Sequence, residues 1–356
     1  MTVAAAPLQE CWPALAAMPS ALAWLSMRSD LGIASRTLDA YARGVSEYLA
    51  FCAALETDPL TAGREHVARF VRHLTERPAR HPGTDPSSTG RSYLSNATVQ
   101  QRLTAVRLLY DHLVEEGLRD TNPVSRGRYA PGASVNRGVS RRGLVPRQVR
   151  LPWIPNEADW CAILEAARGE PIRNRTMLAL GYDAGLRREE LCGLRTDDLD
   201  PGHRLLRVRA ETTKGRRERV VPYSVAAGEL LRSYLTHRVG ISRARGPLFL
   251  SESRRNRAAS LTPWTWSKVV RRIALAAGVP RFGTHTLRHL CLTDLARAGW
   301  ELHAIATFAG HRHPATTLQY IHLSGRELSD KLARGMAQIH DWRVVMLAGA
   351  EPAGHA

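Results

Sequence analysis

Lysine is scarce in this chain of 356 residues, although basic residues as a class are abundant. Of 50 basic residues only three are lysines, at positions 214, 268 and 331. Acidic residues number 33, so the formal net charge is +17. An excess of this size attracts polyanions, which makes nucleic acid the first partner to consider and an acidic membrane surface the second.

Cysteine is also sparse, and long apolar runs are missing. The five cysteines are widely spaced and never form a CxxC pair, which argues against a disulfide framework or a zinc ribbon and predicts buried thiols in a reducing compartment. No stretch is apolar for long enough to span a bilayer, and the first residues lack the pattern of a secretory leader. We therefore expect a cytoplasmic protein with no membrane partner.

The length of the chain predicts two domains rather than one. Apolar residues recur at three- and four-residue spacing over 35–55, 61–77 and 95–117, which predicts three amphipathic helices, the first with Ser35 as its N-cap. We expect an N-terminal extension at 1–19 and a small helical domain at 20–125.

A basic linker is predicted at 126–152. Its first 25 residues contain seven arginines and no acidic residue. A solvated, flexible connection is one interpretation of such a charge run, and contact with phosphates is the other. We favour phosphate contact, and the candidate DNA-binding residues are Arg126, Arg128, Arg137, Arg141, Arg142, Arg147 and Arg150.

The second predicted domain covers 153–340 and is followed by a tail at 341–356. Helices are expected at 156–168 and 171–184. The alternation of apolar and basic residues at 204–210 predicts a strand that turns near Lys214 and pairs with a second strand ending at 220–222. The domain is therefore expected to be helical with a small sheet inserted.

Four segments carry residues suited to chemistry, in the order "AGLRREEL", "TTKGRRERVVP", "HTLRH" and "GHRHPATTLQY". The first begins a helix with a basic and an acidic residue three positions apart, and the second places a lysine at a turn. The third puts a histidine and an arginine on one helix face. The candidate residues are Arg187, Glu190, Lys214, His285, Arg288, His311 and Tyr320.

The candidate residues fit neither a metal site nor a hydrolase site well. His285 and His289 have the spacing of a helical metal pair, and His311 and His313 form HxH, but no carboxylate or cysteine ligand lies nearby in sequence. No GxSxG elbow and no GxxxxGK[ST] loop occurs. We predict no metal ligand and no requirement for ATP.

The candidate set suits phosphoryl transfer. Two arginines can hold the non-bridging oxygens of a phosphodiester, and a tyrosine hydroxyl can act as a covalent nucleophile. A lysine can protonate the departing oxygen, and a histidine can accept the tyrosine proton.

In these four ordered segments the chain resembles the tyrosine recombinase (phage integrase) family, and the likeness extends over about residues 20–340. The resemblance implies a mainly α protein of two domains, an N-terminal helical (SAM-like) core-binding bundle and a C-terminal mixed α/β catalytic domain of the DNA breaking-rejoining type with a small β-sheet. It implies cleavage and rejoining of duplex DNA at a specific recombination site through a 3′-phosphotyrosine. Dimers and tetramers on DNA are expected, with an accessory recombination protein as a further candidate partner.

The same resemblance assigns roles to individual residues. Arg187 and Arg288 match the two catalytic arginines, and Glu190 matches the acidic residue that supports the first of them. Lys214 matches the general acid, while His285 and His311 match the two histidines of the site. Tyr320 matches the nucleophile.

Rival functions remain beside this one. A type IB topoisomerase has similar catalytic residues, a catalytically silent regulator could keep the fold, and a general basic nucleic-acid-binding protein would need none of the candidate residues. The compact spacing of the last two segments favours the recombinase, for integration or excision of a mobile element, transposition or dimer resolution.

Overall fold

Helices dominate both halves of the chain in the computed structural model, which describes residues 10–77, 93–124, 145, 152–213, 215–311 and 315–318. The chain divides into two compact units, Met1–Arg150 and Leu151–Ala356. Each unit has a hydrophobic core of its own. None of the helices in these ranges is both long and apolar enough to cross a membrane.

The first unit is a helical bundle. After a short 3-10 turn at Pro13–Ala17, its helices within the described ranges are α1 (Pro19–Asp30), α2 (Ser35–Ala54), α3 (Arg64–Glu76) and α4 (Asn96–Glu115). The three helices predicted from apolar spacing are α2, α3 and α4, so these predictions are confirmed. Their core face includes Val45, Phe70 and Val106, all fully buried.

The N-cap predicted for α2 is wrong by one residue. Ala34 occupies the cap position, and Ser35 is already helical. The carbonyl of Ala34 accepts the first hydrogen bonds of the helix, from the amides of Thr37 and Leu38 at 2.8 and 3.0 Å, which places the cap at this residue. This helix start has no side-chain cap hydrogen bond. At α4 the predicted start does carry a cap, since the Ser95 hydroxyl accepts from the Thr98 amide at 3.2 Å.

The core of the bundle also contains residues from outside the range 20–125. Leu15 and Met18, within the predicted extension 1–19, are buried in its core. Val145, within the predicted linker, is buried in the same core, and its carbonyl accepts from Gln100 Nε2 at 3.1 Å. The core of the first unit therefore includes residues on both sides of 20–125, while the domain boundaries stay predictions.

The second unit contains helices α5 (Glu157–Arg168), α6 (Ile172–Asp183), α7 (Arg188–Cys192), α8 (Val225–Val239), α9 (Pro263–Ala276), α10 (Thr284–Arg297), α11 (Leu302–Ala309) and α12 (Ala315–Leu318) in its described residues. Its sheet, in the same residues, has the strands β1 (Leu199–Asp200), β2 (Leu205–Val208) and β3 (Arg219–Pro222). They pair antiparallel in the order β1-β2-β3, with Leu206 opposite Val221. The mainly α fold with a small inserted sheet is confirmed.

Cysteines were expected to be buried, and this holds for Cys52, Cys192 and Cys291. Cys11 and Cys161 are exposed, so the expectation is wrong for these two. Cys161 lies in α5 on a different face from the buried residues Ile163 and Ala167, so its position on the helix rather than its residue type determines its exposure.

Candidate active site

The site begins at α7, a short helix that starts with Arg187 as its N-cap residue. Gly185 precedes it with φ 54°, and a side chain at this position would come within 2.9 Å of the Phe308 ring. The Arg187 amide donates to Glu190 Oε2 at 2.9 Å, and its Nη1 donates to Oε1 at 2.7 Å. The predicted support of Arg187 by Glu190 thus corresponds to a direct double contact.

Glu190 is 1% exposed and binds a second arginine from β3. Arg219 donates from Nη1 to Oε1 at 3.1 Å and from Nη2 to Oε2 at 2.7 Å, as a two-pronged fork. Sequence analysis did not single out Arg219. It lies in "RRERVVP", next to two other arginines and a glutamate, and this pattern does not indicate which charged side chain turns inward.

The two arginines keep Glu190 ionised. Burial of the carboxyl would raise its pKa, but the hydrogen bonds and positive charge of Arg219, followed by those of Arg187, lower the pKa to about 2. The carboxylate is therefore a fixed negative charge that orients both guanidinium groups.

His285 and Arg288 lie in the first turns of α10, as predicted. Arg288 is 4% exposed and donates from Nη1 to the Gly185 carbonyl and from Nη2 to the Ala309 carbonyl, both at 2.6 Å. One side chain thus joins the turn before α7 to the end of α11. His285 is exposed at the helix start, and its pKa is lowered by partial desolvation of the ring and then by the charge of Arg188.

His311 follows the left-handed residue Gly310, which ends α11 with φ 63° and ψ 46°. Its Nε2 lies 3.1 Å from Arg288 Nη2, and its Nδ1 lies 2.7 Å from the Thr317 hydroxyl. Because a guanidinium only donates, Nε2 must be the acceptor, so the proton resides on Nδ1 and faces Thr317. The structure places the predicted histidine in contact with the second predicted arginine.

The pKa of His311 is lowered to about 4, first by burial of the ring and then by the charges of Arg288, Arg187 and Arg219. The imidazole is therefore neutral at pH 7. Three guanidinium groups surround a single buried carboxylate while the nearby histidines carry no charge, so the described part of the site has excess positive charge. Such a site is suited to an anion such as a phosphodiester.

Two predicted catalytic residues lie outside the described residues. Lys214 falls between Thr213 and Gly215 in the connection from β2 to β3, and Tyr320 follows α12 by two positions. The seven linker arginines, at positions 126, 128, 137, 141, 142, 147 and 150, also lie outside them. The structure thus brings together Arg187, Glu190, Arg288 and His311, with His285 on the same helix as Arg288.

A metal ion would need several His, Cys, Asp or Glu ligands close together. Across the described ranges no group of three such residues has this arrangement. Positive charge in the described site comes from arginine side chains.

Comparison with known proteins agrees with this arrangement. The model of the phage integrase family matches residues 156–327, which contain all the predicted catalytic positions. The XerC tyrosine recombinase of Thermodesulfovibrio yellowstonii is 31% identical over 238 residues, covering 66% of this chain and 74% of that protein. The chain belongs to the phage integrase family of tyrosine recombinases. A XerC from a Mycobacterium species is 33% identical over 235 residues, covering 65% of this chain and 73% of the relative.

Solved structures of this recombinase fold are similar across both units. XerH bound to a palindromic difH substrate in a post-cleavage complex has a TM-score of 0.65 at 20% identity, covering 91% of this chain and 87% of XerH. A lambda integrase dimer bound to a core site has a TM-score of 0.60 at 17% identity, covering 85% and 94%. The family and fold class predicted from the four sequence segments are therefore confirmed, and the recombinase is favoured over the type IB topoisomerase.

Proposed function

We propose that this tyrosine recombinase cleaves and rejoins duplex DNA at a specific site through a 3′-phosphotyrosine on Tyr320. The observation that carries the proposal is the convergence of Arg187, Arg288 and neutral His311 around the buried carboxylate of Glu190. The similarity in fold to XerH and lambda integrase, both of which were solved bound to DNA, supports duplex DNA as the ligand.

In the proposed reaction the scissile phosphate lies against Arg187 and Arg288. Their guanidinium groups stabilise the negative charge that develops on the non-bridging oxygens in the transition state. The Arg187 guanidinium donates one N–H to Glu190 among its described contacts, and we propose that its remaining N–H groups bind the phosphate. His311 accepts from Arg288 at Nε2 and donates from Nδ1 to Thr317, so its neutral ring orients Arg288 toward the phosphate without adding charge.

Proton transfers complete the step. Tyr320 loses its hydroxyl proton to His285 and forms a bond to phosphorus, while the bond from phosphorus to the 5′ oxygen breaks. Lys214 donates the proton that the departing 5′ oxygen takes up. The products are a 3′-phosphotyrosine and a free 5′-hydroxyl, and attack by a 5′-hydroxyl of a partner strand reverses the sequence.

The phosphotyrosine conserves the energy of the phosphodiester bond, so the proposed reaction requires no ATP. The arginines supply positive charge at the phosphate, and we propose that no metal ion takes part. Cleavage should therefore proceed at an unchanged rate in the presence of a metal chelator.

Recombination needs two DNA sites and therefore two cleaving protomers on each. We propose that the chain assembles as dimers on single sites and as a tetramer when two sites pair, with the arginine linker on the DNA backbone. With DNA as its substrate, we propose that it acts in the cytoplasm on the nucleoid.

The proposal is tested by covalent capture. The protein is mixed with labelled duplexes from the DNA flanking its own gene, each nicked near a candidate site so that the cleaved strand diffuses away. We expect an adduct that survives denaturation on one fragment, absent with Tyr320→Phe and retained with the control Tyr223→Phe. An adduct that persists in Tyr320→Phe contradicts the proposal.

The same experiment separates the rival activities. Adducts on every duplex, together with relaxation of an unrelated supercoiled plasmid, would indicate a topoisomerase. Tight binding to one fragment without any adduct would indicate a silent regulator. The position of the captured site, at the end of a mobile element or at a chromosomal resolution site, distinguishes transposition and integration from dimer resolution.

A further inference from the structure

The side chain of Arg219 joins three segments of the site, although it is not among the residues that the family resemblance assigns. It extends from the first residue of β3 and is 9% exposed. Its two Nη atoms bind both oxygens of Glu190, and its Nε donates to the Phe308 carbonyl at 2.9 Å. Every nitrogen of this guanidinium is therefore directed to a different atom of the protein.

At Glu190, Arg219 determines how the carboxylate can meet Arg187. Each carboxylate oxygen is shared between the two arginines, since Oε1 accepts from both Nη1 atoms and Oε2 accepts from the Arg187 amide and from Arg219 Nη2. The planar fork of Arg219 fixes the plane of the carboxylate. The Arg187 guanidinium then has one orientation in which it can bind.

At the end of α11, Arg219 acts beside Arg288. The consecutive carbonyls of Phe308 and Ala309 are bound by Arg219 and Arg288 respectively. Gly310 follows, and a Cβ atom there would lie 3.1 Å from Arg219 Cδ. The chain reaches His311 along a path that packs directly against the Arg219 side chain.

We propose that Arg219 is a positioning residue for DNA strand cleavage, which holds Arg187, and the contact between His311 and Arg288, in the arrangement that binds the scissile phosphate. It acts through Glu190 and through the end of α11, and its own nitrogens are directed at the protein rather than at DNA. This inference rests on the proposed function.

The test compares Arg219→Met and Arg219→Lys with the unsubstituted protein on nicked duplexes carrying the captured site. Single-turnover cleavage and DNA affinity are measured separately. We expect cleavage to fall about 100-fold in Arg219→Met, because misplacement of phosphate-binding groups by about 1 Å has an effect of this size. DNA affinity should stay within about twofold, since contacts along the rest of the duplex are unchanged.

A second substrate carries a methylphosphonate at the scissile position, where a methyl group replaces one charged oxygen. This uncharged group depends less on the two arginines for stabilisation of its transition state. The defect of Arg219→Met should therefore shrink to less than about tenfold on this substrate. Arg219→Lys keeps the charge but not the fork, so it should restore cleavage only in part. If Arg219→Met does not fold, Arg219→Lys is the variant that is compared with the unsubstituted protein.

Arg238→Met is the matched control. Arg238 is also largely buried, but it donates to the main-chain carbonyls of Ser242, Ala244, Pro247 and Leu248. Its loss should lower the melting temperature and leave the cleavage rate of folded protein unchanged on both substrates. Cleavage by Arg219→Met within about threefold of the unsubstituted protein, or an equal defect on both substrates, would overturn the inference. Absence of any adduct with the unsubstituted protein would contradict the proposed function itself.

Discussion

Glu190 is the residue on which the charge arrangement of the site depends. Its carboxylate lies between Arg187 and Arg219, with Arg288 Nη1 at 4.0 Å from Oε2. A buried charge that loses its partner is strongly destabilising, whereas in the intact cluster the carboxylate and the arginines are paired with one another. The same residue therefore links the stability of the second unit to its chemistry.

Glu190→Gln should lower the free energy of unfolding by about 2–4 kcal/mol at pH 7, because two guanidinium groups lose their counter-charge. Urea unfolding of both proteins measures the difference. The control Glu229→Gln, which removes an exposed helix-surface pair with Arg232, should change the value by less than about 0.5 kcal/mol. Equal effects of the two substitutions would contradict a structural role for the buried cluster.

The low pKa of Glu190 also predicts how stability depends on acid. The group titrates near 4.5 when unfolded and at about 2 when folded, so the unfolded chain binds its proton at the higher pH. Its contribution is present above pH 4.5 and is lost as the pH falls toward 2. In Glu190→Gln the unfolding free energy should fall less steeply over this window. An identical acid dependence in both proteins would show that folding does not lower the pKa of Glu190.

His311 predicts a second window at higher pH. Its pKa is about 4 in the folded protein and near the ordinary 6.5 when unfolded, so the unfolded state takes up the proton first. Stability from the neutral ring is present above pH 6.5 and declines as the pH falls toward 4, by roughly 1–3 kcal/mol. Unfolding at pH 7 and pH 5 should show a smaller decline for His311→Asn than for the unsubstituted protein. A decline unchanged by this substitution would assign the effect to other histidines.

Among the helices of the site, α11 has a C-terminus that is fixed by contacts with two arginine side chains. Two of its last carbonyls are bound by arginines, and its path turns at the left-handed Gly310 beside Arg219. The site therefore depends on how this helix stops as much as on the residues that follow it.

Gly310→Ala should reduce both stability and cleavage. A side chain at φ 63° costs about 1 kcal/mol, and its Cβ would also displace Arg219. Gly278→Ala is the matched control, because Gly278 has φ 70° with no atom within 4 Å of the added Cβ. Both variants should lose similar backbone stability, and only Gly310→Ala should cleave slowly. If both cleave at the rate of the unsubstituted protein, the contact between Arg219 and the end of α11 has no functional role.

At this scale the sequence predicts long amphipathic helices well, because the spacing of apolar residues reports directly which face is buried. The helices α2, α3 and α4 were predicted in this way. The burial of Leu15 and Val145 in the bundle core was not predicted, because neither segment shows helical spacing of apolar residues. Arg219 was missed for a related reason: its importance lies in contacts with Glu190 and Phe308, which are 29 and 89 residues away in the chain.

For the whole molecule the dominant property is the net charge of +17, carried almost entirely by arginine. Binding of such a protein to duplex DNA releases counterions, so affinity should fall steeply with salt. The stretch 126–150 contributes seven of these arginines and contains no acidic residue.

Replacing the seven linker arginines with glutamine should weaken the salt dependence of DNA binding. The slope of log affinity against log salt concentration should decrease in magnitude by at least about 2, because each lost phosphate contact removes about 0.9 from it. A control replaces Arg168, Arg232 and Arg297, which pair with acidic residues on their own helices and should leave the slope unchanged. Equal slopes for the linker variant and the unsubstituted protein would contradict phosphate contact by the linker.

Cleavage through Tyr320 is tested most directly by identifying the amino acid that becomes linked to DNA. The trapped adduct is digested with nuclease and trypsin, and the nucleotide-bearing peptide is sequenced by mass spectrometry. We predict a nucleotide bound through its 3′ phosphate to Tyr320, in the peptide that covers 313–326. A nucleotide attached to any other residue, or attached through its 5′ phosphate, would contradict the proposed mechanism.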